Sequence, residues 1–118
     1  MRYLVATDAV DTTAAACDYL EGRLDLGDAA LVVTARGKGD PRYGADALNV
    51  AGVRLPGRDV ETREVAGEPA TAVLEAAAAE GADEIVIGAS GGTPDAGEGL
   101  GSTAERILEG ADRPVVVL

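Results

Sequence analysis

A rhythm constrains this chain more than any single residue does. Five short aliphatic runs, at residues 3–7, 29–35, 60–65, 84–88 and 115–118, alternate with helix-period patterns. The fourth, Glu84-Ile85-Val86-Ile87-Gly88, shows no polar alternation, so it reads as a strand covered on both faces, the habit of parallel sheets. Over residues 12–23, Thr13, Ala16, Cys17, Leu20 and then Leu24 recur at i, i+3, i+4, i+7 and i+11, the apolar face of a helix. Gly67-Glu68-Pro69 opens another helix with proline in its first turn; Ala70, Val73, Leu74, Ala77 and Ala78 form its inner stripe, and Gly81 stops it. A last helix over about 102–109 turns Ala104, Ile107, Leu108 and Ala111 inward before Pro114 blocks continuation. Strands alternating with helices predict an α/β three-layer sandwich: a five-stranded parallel sheet, right-handed crossovers, and helices on both faces.

One crossover resists this pattern. Between residues 37 and 57, Gly37, Gly39, Gly44, Gly52 and Gly57 loosen the chain, and Ala45, Leu48 and Ala51 support about two turns. The expectation is a long loop with one short helix. Residues 36–58 hold half of the chain's positive charge. Arg36, Lys38, Arg42, Arg54 and Arg58 face only Asp40 and Asp46, a local +3 in a chain of net charge −11. Those bases are either solvated loop charges or, where the loop leaves the sheet, partners for an anion.

Composition narrows the function classes. At 118 residues and 47% hydrophobic, the chain suits one domain, residues 1–118, with a real core. Its 21 acids against 10 bases repel nucleic acid and anionic membranes, so neither is an expected partner. No stretch approaches the roughly 20 apolar residues of a membrane span, and Met1-Arg2-Tyr3 runs straight into a strand; a cytoplasmic protein without a signal peptide is expected. With no histidine and one cysteine, internal disulfides, Cys/His zinc sites and serine–histidine catalysis are excluded. Cys17 belongs to a helix's apolar face and reads as core. Lys38 is the single lysine, and an acid-rich, lysine-poor surface points to a salt-accumulating, halophilic cell, the alternative being a merely acidic mesophile protein.

The chemistry concentrates in Gly88-Ala89-Ser90-Gly91, nine residues, then Gly101-Ser102-Thr103. A strand ends at Gly88, and glycines let backbone N–H groups come close to a ligand. Gly101 and Ser102 open a helix, whose free N–H groups and dipole favour an anion. This composes a phosphate cradle in the crevice where open α/β sheets bind ligands. The competing view is local: Ser102-Thr103-Ala104-Glu105 has the form of a capping box, in which Ser102 only caps its helix. No Gly-Lys-Ser/Thr follows, so this is not a Walker A loop, and the glycine spacing is not that of a Rossmann fingerprint.

These residues resemble the universal stress protein family, whose motif G-x2-G-x9-G-[S/T] is matched by Gly88, Gly91, Gly101 and Ser102. Ala6-Thr7-Asp8, Gly67-Glu68-Pro69-Ala70, Ala82-Asp83-Glu84 and Arg113-Pro114-Val115 follow the family pattern in order. The resemblance implies a flavodoxin-like fold of the adenine nucleotide alpha hydrolase type, strand order 3-2-1-4-5, holding ATP or AMP across the carboxyl ends of strands 1, 2 and 4. Carried over, Asp8, with Thr7 beside it, would face the ribose. The end of strand 2, Thr34 or Ala35, would meet the adenine edge through its backbone, and Gly88, Gly91, Gly101, Ser102 and Thr103 would hold the phosphates. Two departures stand out. The nine-residue insert carries Asp95 and Glu98, which would repel a polyphosphate unless salt or Mg²⁺ intervenes. The glycine-rich crossover falls short of the family's full second helix.

The resemblance implies a nucleotide-binding stress or regulatory module without rapid turnover, at most a slow ATP hydrolase. The alternative is a dimeric interaction module of the same fold that has lost the nucleotide. A small hydrolase finds no histidine base here. A phospho-aspartate receiver domain fails too, because strand 3 ends Val65-Ala66-Gly67 and the lysine is misplaced. In the implied order the fifth strand, Val115-Val116-Val117-Leu118, is an edge without lysine or inward charge, and it is expected to pair with its copy in a homodimer.

Overall fold

The computed structural model describes residues 1–36, 41–89 and 101–118, with the side chains of residue 36 and residues 41–43 also outside the description. The elements run β1 (Arg2–Ala6), α1 (Val10–Glu21), β2 (Ala29–Arg36), α2 (Pro41–Arg54), β3 (Val60–Ala66), α3 (Pro69–Glu80), β4 (Glu84–Ile87), α4 (Ser102–Gly110) and β5 (Val115–Val117). All pairings are parallel and the order is β3-β2-β1-β4-β5, as the resemblance implied.

Successive strand residues point to opposite faces, so each central strand feeds two cores. Tyr3, Val5, Val32 and Val86 meet Ala16, Cys17 and Leu20 of α1 and Ala51 of α2 on one face. Leu4, Leu31, Val33, Ile85 and Ile87 meet Ala70, Val73 and Ala77 of α3 and Ala104 and Ile107 of α4 on the other. Fully burying each such aliphatic side chain contributes about 1.5–3 kcal/mol, which is why β1 and β4 tolerate no polar alternation. Cys17 is buried in the first core, as its place on the helix face predicts.

The glycine-rich crossover corrects the expectation of a loop with one short helix. α2 is a full helix of 14 residues. Proline stands at its first position, where a missing N–H costs nothing. Ala47, Ala51 and Leu55, spaced by four, are all buried beneath it. That burial outweighs the roughly 1 kcal/mol that each internal glycine costs a helix. Gly44 even has a packing reason, since a Cβ there would lie 3.1 Å from Thr34 Cγ2.

Smaller departures concern faces. In α3, Ala78 is exposed and Ala72 buried instead, and in α4, Leu108 is 39% exposed. α3 ends as expected: Gly81 takes a left-handed conformation (φ 65°) and donates its N–H back to the last turn. The two sheet edges differ sharply. β3 exposes Glu61, Thr62 and Glu64, whereas β5 is all valine, with Val115 and Val116 half-buried against the two cores and Val117 exposed.

Candidate functional site

β1 and β4 are neighbours, yet α1 and α4, which follow them, cover opposite faces of the sheet. The chain therefore leaves two adjacent strand ends in opposite directions, and a crevice opens between them. Its rim consists of Thr7-Asp8 after β1, Gly88-Ala89 after β4, and the first turn of α4.

The β1 side is braced from below. The Thr7 N–H donates to the Val33 carbonyl at 2.9 Å, tying the strand end to β2. The Thr7 and Thr13 hydroxyls lie 2.9 Å apart, and both reach the Ala9 carbonyl, at 3.0 and 3.1 Å. Thr7 is 6% exposed, so it acts as a buried brace that fixes the loop carrying its neighbour. Asp8 is the exposed residue of the pair. Surrounding protein partly strips its carboxyl of water and raises its pKa, against a smaller opposing pull from its own backbone N–H. At the rim this carboxyl is an acceptor suited to a hydroxyl and unsuited to a phosphate.

On β2, the Thr34 side chain is buried under Gly44 of α2. What Thr34 offers a ligand is backbone, beside half-buried Ala35.

The β4 side is shaped by missing side chains. A Cβ on Gly88 would stand 2.8 Å from Thr12 Cγ2, inside any tolerable contact. Gly88 thus lets α1 close down on the end of β4. Across the rim, Gly101 is the N-cap of α4, extended at φ −67° and ψ 161°, and its carbonyl accepts the first helical bond from Glu105 at 3.0 Å. Ser102 is therefore the first helical residue and not the cap, so the capping-box alternative is not realised. Any residue can adopt the Gly101 backbone conformation. Its contribution is the absence of a capping side chain: the N–H groups of Ser102, Thr103 and Ala104 have no intrahelical acceptor, and Gly101 supplies none. The Ser102 side chain is exposed and Thr103 is half-buried. The Gly101 N–H donates to the Ala89 carbonyl at 2.7 Å and fastens the helix start to the strand end.

The structure thus brings Thr7, Asp8, Gly88, Gly101, Ser102 and Thr103 to one rim, with Thr34 and Ala35 at the neighbouring strand end. Gly91, Lys38, the acidic insert with Asp95 and Glu98, and the side chains of Arg36 and Arg42 lie outside the described residues. Sequence reasoning placed Thr12 at a helix start and Ala89 inside the glycine motif but missed the part that each plays. Neither carries a local signal, because each matters only through a contact made across the fold. Two grooves lined by described residues lie elsewhere: one at the amino ends of the strands, beside Arg2, Ala29 and Asp59, and one between α1 and α2, beside Val10 and Val53. Neither is lined by the start of α4 or by the strand ends at the switch point, so the crevice remains the candidate.

A family model described as "Universal stress protein family" matches residues 26–118. The chain belongs to the universal stress protein family. Solved structures agree on the fold. Hypothetical protein MJ0577, solved for a structure-based assignment of its biochemical function, aligns at TM-score 0.80 and 20% identity over 99% of this universal stress protein and 94% of its own chain. A universal stress protein solved in complex with cAMP aligns at TM-score 0.75 and 24% identity, covering 100% and 95% of the two chains. The universal stress protein from Archaeoglobus fulgidus in complex with dAMP aligns at TM-score 0.68 and 22% identity, covering 99% and 96%. No curated protein matches this chain in sequence. Among the described residues, no helix is long and apolar enough to cross a membrane, and no group of acidic or cysteine side chains could hold a metal ion.

Proposed function

We propose that this universal stress protein is a regulatory module that binds an adenine nucleotide, ATP or AMP, in the crevice at the carboxyl end of its sheet. The observation that carries the reading is the start of α4: a helix whose N-cap is glycine and so offers no capping side chain, fastened to the end of β4 by the 2.7 Å bond from Gly101 to Ala89. A helix start at a ligand crevice, where the N-cap residue has no side chain to compete for the first N–H groups, is suited to an anion. The donor set fits a nucleotide because it is segregated. N–H groups and the Ser102 and Thr103 hydroxyls stand where phosphate would be held, and the Asp8 carboxyl stands where it would accept from ribose hydroxyls. The backbone at Thr34 and Ala35 suits the adenine edge. The cAMP and dAMP complexes of two structural neighbours support the nucleotide class.

Within this reading the chain holds its nucleotide and does not turn it over rapidly. The rim offers no histidine, and Asp8 is placed for the ribose, away from the phosphates. Mg²⁺, where present, would accompany the polyphosphate of ATP and offset nearby acids. The homodimer through β5 belongs to the same proposal. β5 is an edge strand of three valines, and Val117, Leu118 and Leu108 are 36%, 38% and 39% exposed.

Calorimetric titration with ATP and with AMP, with and without Mg²⁺, in molar KCl tests the reading. Saturable heat at one site per chain is expected. The absence of heat at millimolar nucleotide would leave an interaction module that has lost its ligand.

A further inference from the structure

We propose that occupancy of the crevice fixes the end of β5, so that a bound nucleotide sets how firmly the sheet's aliphatic edge is held; this rests on the nucleotide-binding reading above. The observation is a run of backbone hydrogen bonds that meets at Ala89. Its carbonyl accepts from Gly101, the N-cap of α4, at 2.7 Å. Its N–H donates to the Leu118 carbonyl at 3.3 Å, and the Leu118 N–H donates to the Ile87 carbonyl at 2.9 Å. Ala89 is thus gripped on one side by the helix start that faces the ligand and on the other by Leu118, the residue that follows β5.

The grip is uneven. The bond toward α4 is short, and the bond toward Leu118 lies near the limit of a useful N–H···O contact. The weak member sits on the edge side, where β5 has only three residues and one neighbouring strand. Short edge strands open locally with little free energy. Displacement of Ala89 is restricted from behind, because Gly88 already lies close against Thr12 of α1. An anion drawing on the N–H groups of Ser102 and Thr103 immobilises Gly101, Gly101 fixes the Ala89 carbonyl, and Ala89 then presents its N–H to Leu118 in one orientation. The reverse holds with the same coupling, since linkage between two binding events is reciprocal: an edge held in place raises affinity for the nucleotide.

Residue-resolved amide hydrogen exchange on the full chain, with and without saturating AMP, tests this, with calorimetry on the same samples. A ligand slows every amide that exchanges through global unfolding, and the β3 amides report that common effect. The expectation is that the Ala89 and Leu118 amides slow by a further factor of about five or more, the lower end of ordinary site-to-site coupling. Measurable AMP binding with Ala89 and Leu118 slowing no more than β3 would overturn the coupling and leave the nucleotide site intact. No heat with either AMP or ATP would overturn the nucleotide reading, and this proposal with it.

Discussion

Gly88, at the end of β4, lies so close to Thr12 of α1 that a Cβ added to it would stand 2.8 Å from Thr12 Cγ2. The contact joins the strand that carries the crevice to the helix on the far face, and it makes a side chain at residue 88 an overpacking problem. Gly88→Ala is expected to destabilise the fold by about 1–3 kcal/mol, the usual cost of forcing extra volume into a packed site. Adding Thr12→Ala should restore at least half of that loss, because it removes the atom in the way. Denaturant melts of the two variants decide it; equal losses with and without Thr12 would show that the strain lies in the backbone.

Gly101→Asp separates capping from ligand binding. The backbone conformation at residue 101 is one that any residue adopts, and aspartate is a better N-cap than glycine by a few tenths of a kcal/mol. The variant should melt slightly higher and lose measurable heat with AMP or ATP, because its carboxylate occupies the N–H groups and repels phosphate. Retained affinity in the stabilised variant would place the phosphates elsewhere.

Acid should act through Glu68. It accepts from the Thr71 N–H and hydroxyl, both at 2.8 Å, and from Arg106 at 3.0 Å. The Thr71 bonds lead in lowering its pKa from 4.5 to about 2. A depressed folded pKa means that the contribution is complete above pH 4.5 and is lost as pH falls toward 2. Glu68→Gln should therefore flatten the pH dependence of stability across that window and leave its slope above pH 5 unchanged. Parallel curves for the two proteins would dismiss the cap.

Salt should stabilise. Net charge −11 on 118 residues repels itself, and the screening length falls from about 10 Å at 0.1 M to about 3 Å at 1 M salt. The melting temperature should climb steeply between dilute buffer and molar KCl. A flat profile would argue against the halophilic expectation.

Assembly can be probed at one position. Ile85 donates to Pro114, Leu118 to Ile87 and Ala89 to Leu118, so residues 114, 116 and 118 face β4. Alternation turns the backbone of Val115 and Val117 outward. Light scattering should give about twice the 11.8 kDa chain mass, and Val117→Pro should shift it toward monomer by removing an outward N–H. A wild-type monomer at hundreds of micromolar would end the dimer proposal.

How far the sequence carried depends on the range of the forces involved. The central strands and the face of α1 were legible because local period and burial agree there: Thr13, Ala16, Cys17, Leu20 and Leu24 are all buried as spaced. α2 was misjudged because its glycines are a local cost offset by tertiary burial of Ala47, Ala51 and Leu55, which no window of sequence displays. At the site, the glycine spacing led to Gly88 and Gly101, yet it could not say why each is glycine. One yields space to Thr12 and the other withholds a cap, and both reasons exist only once the strands are side by side. Ser102 looked like a cap by its box pattern because cap assignment turns on a single residue of helix register.

The contrast between the two sheet edges limits how such a chain can associate. β3 presents a polar, charged margin, Glu61-Thr62-Arg63-Glu64, of the kind that discourages edge pairing, while β5 presents valine and leucine. In assembly terms the described sheet offers a valence of one. Its apolar margin lies at one side, and the proposed two-fold pairing there would use it up. If the proposed β5 pairing forms in molar salt, where screening no longer holds acidic molecules apart, it would cover the apolar margin from which a fibre could grow.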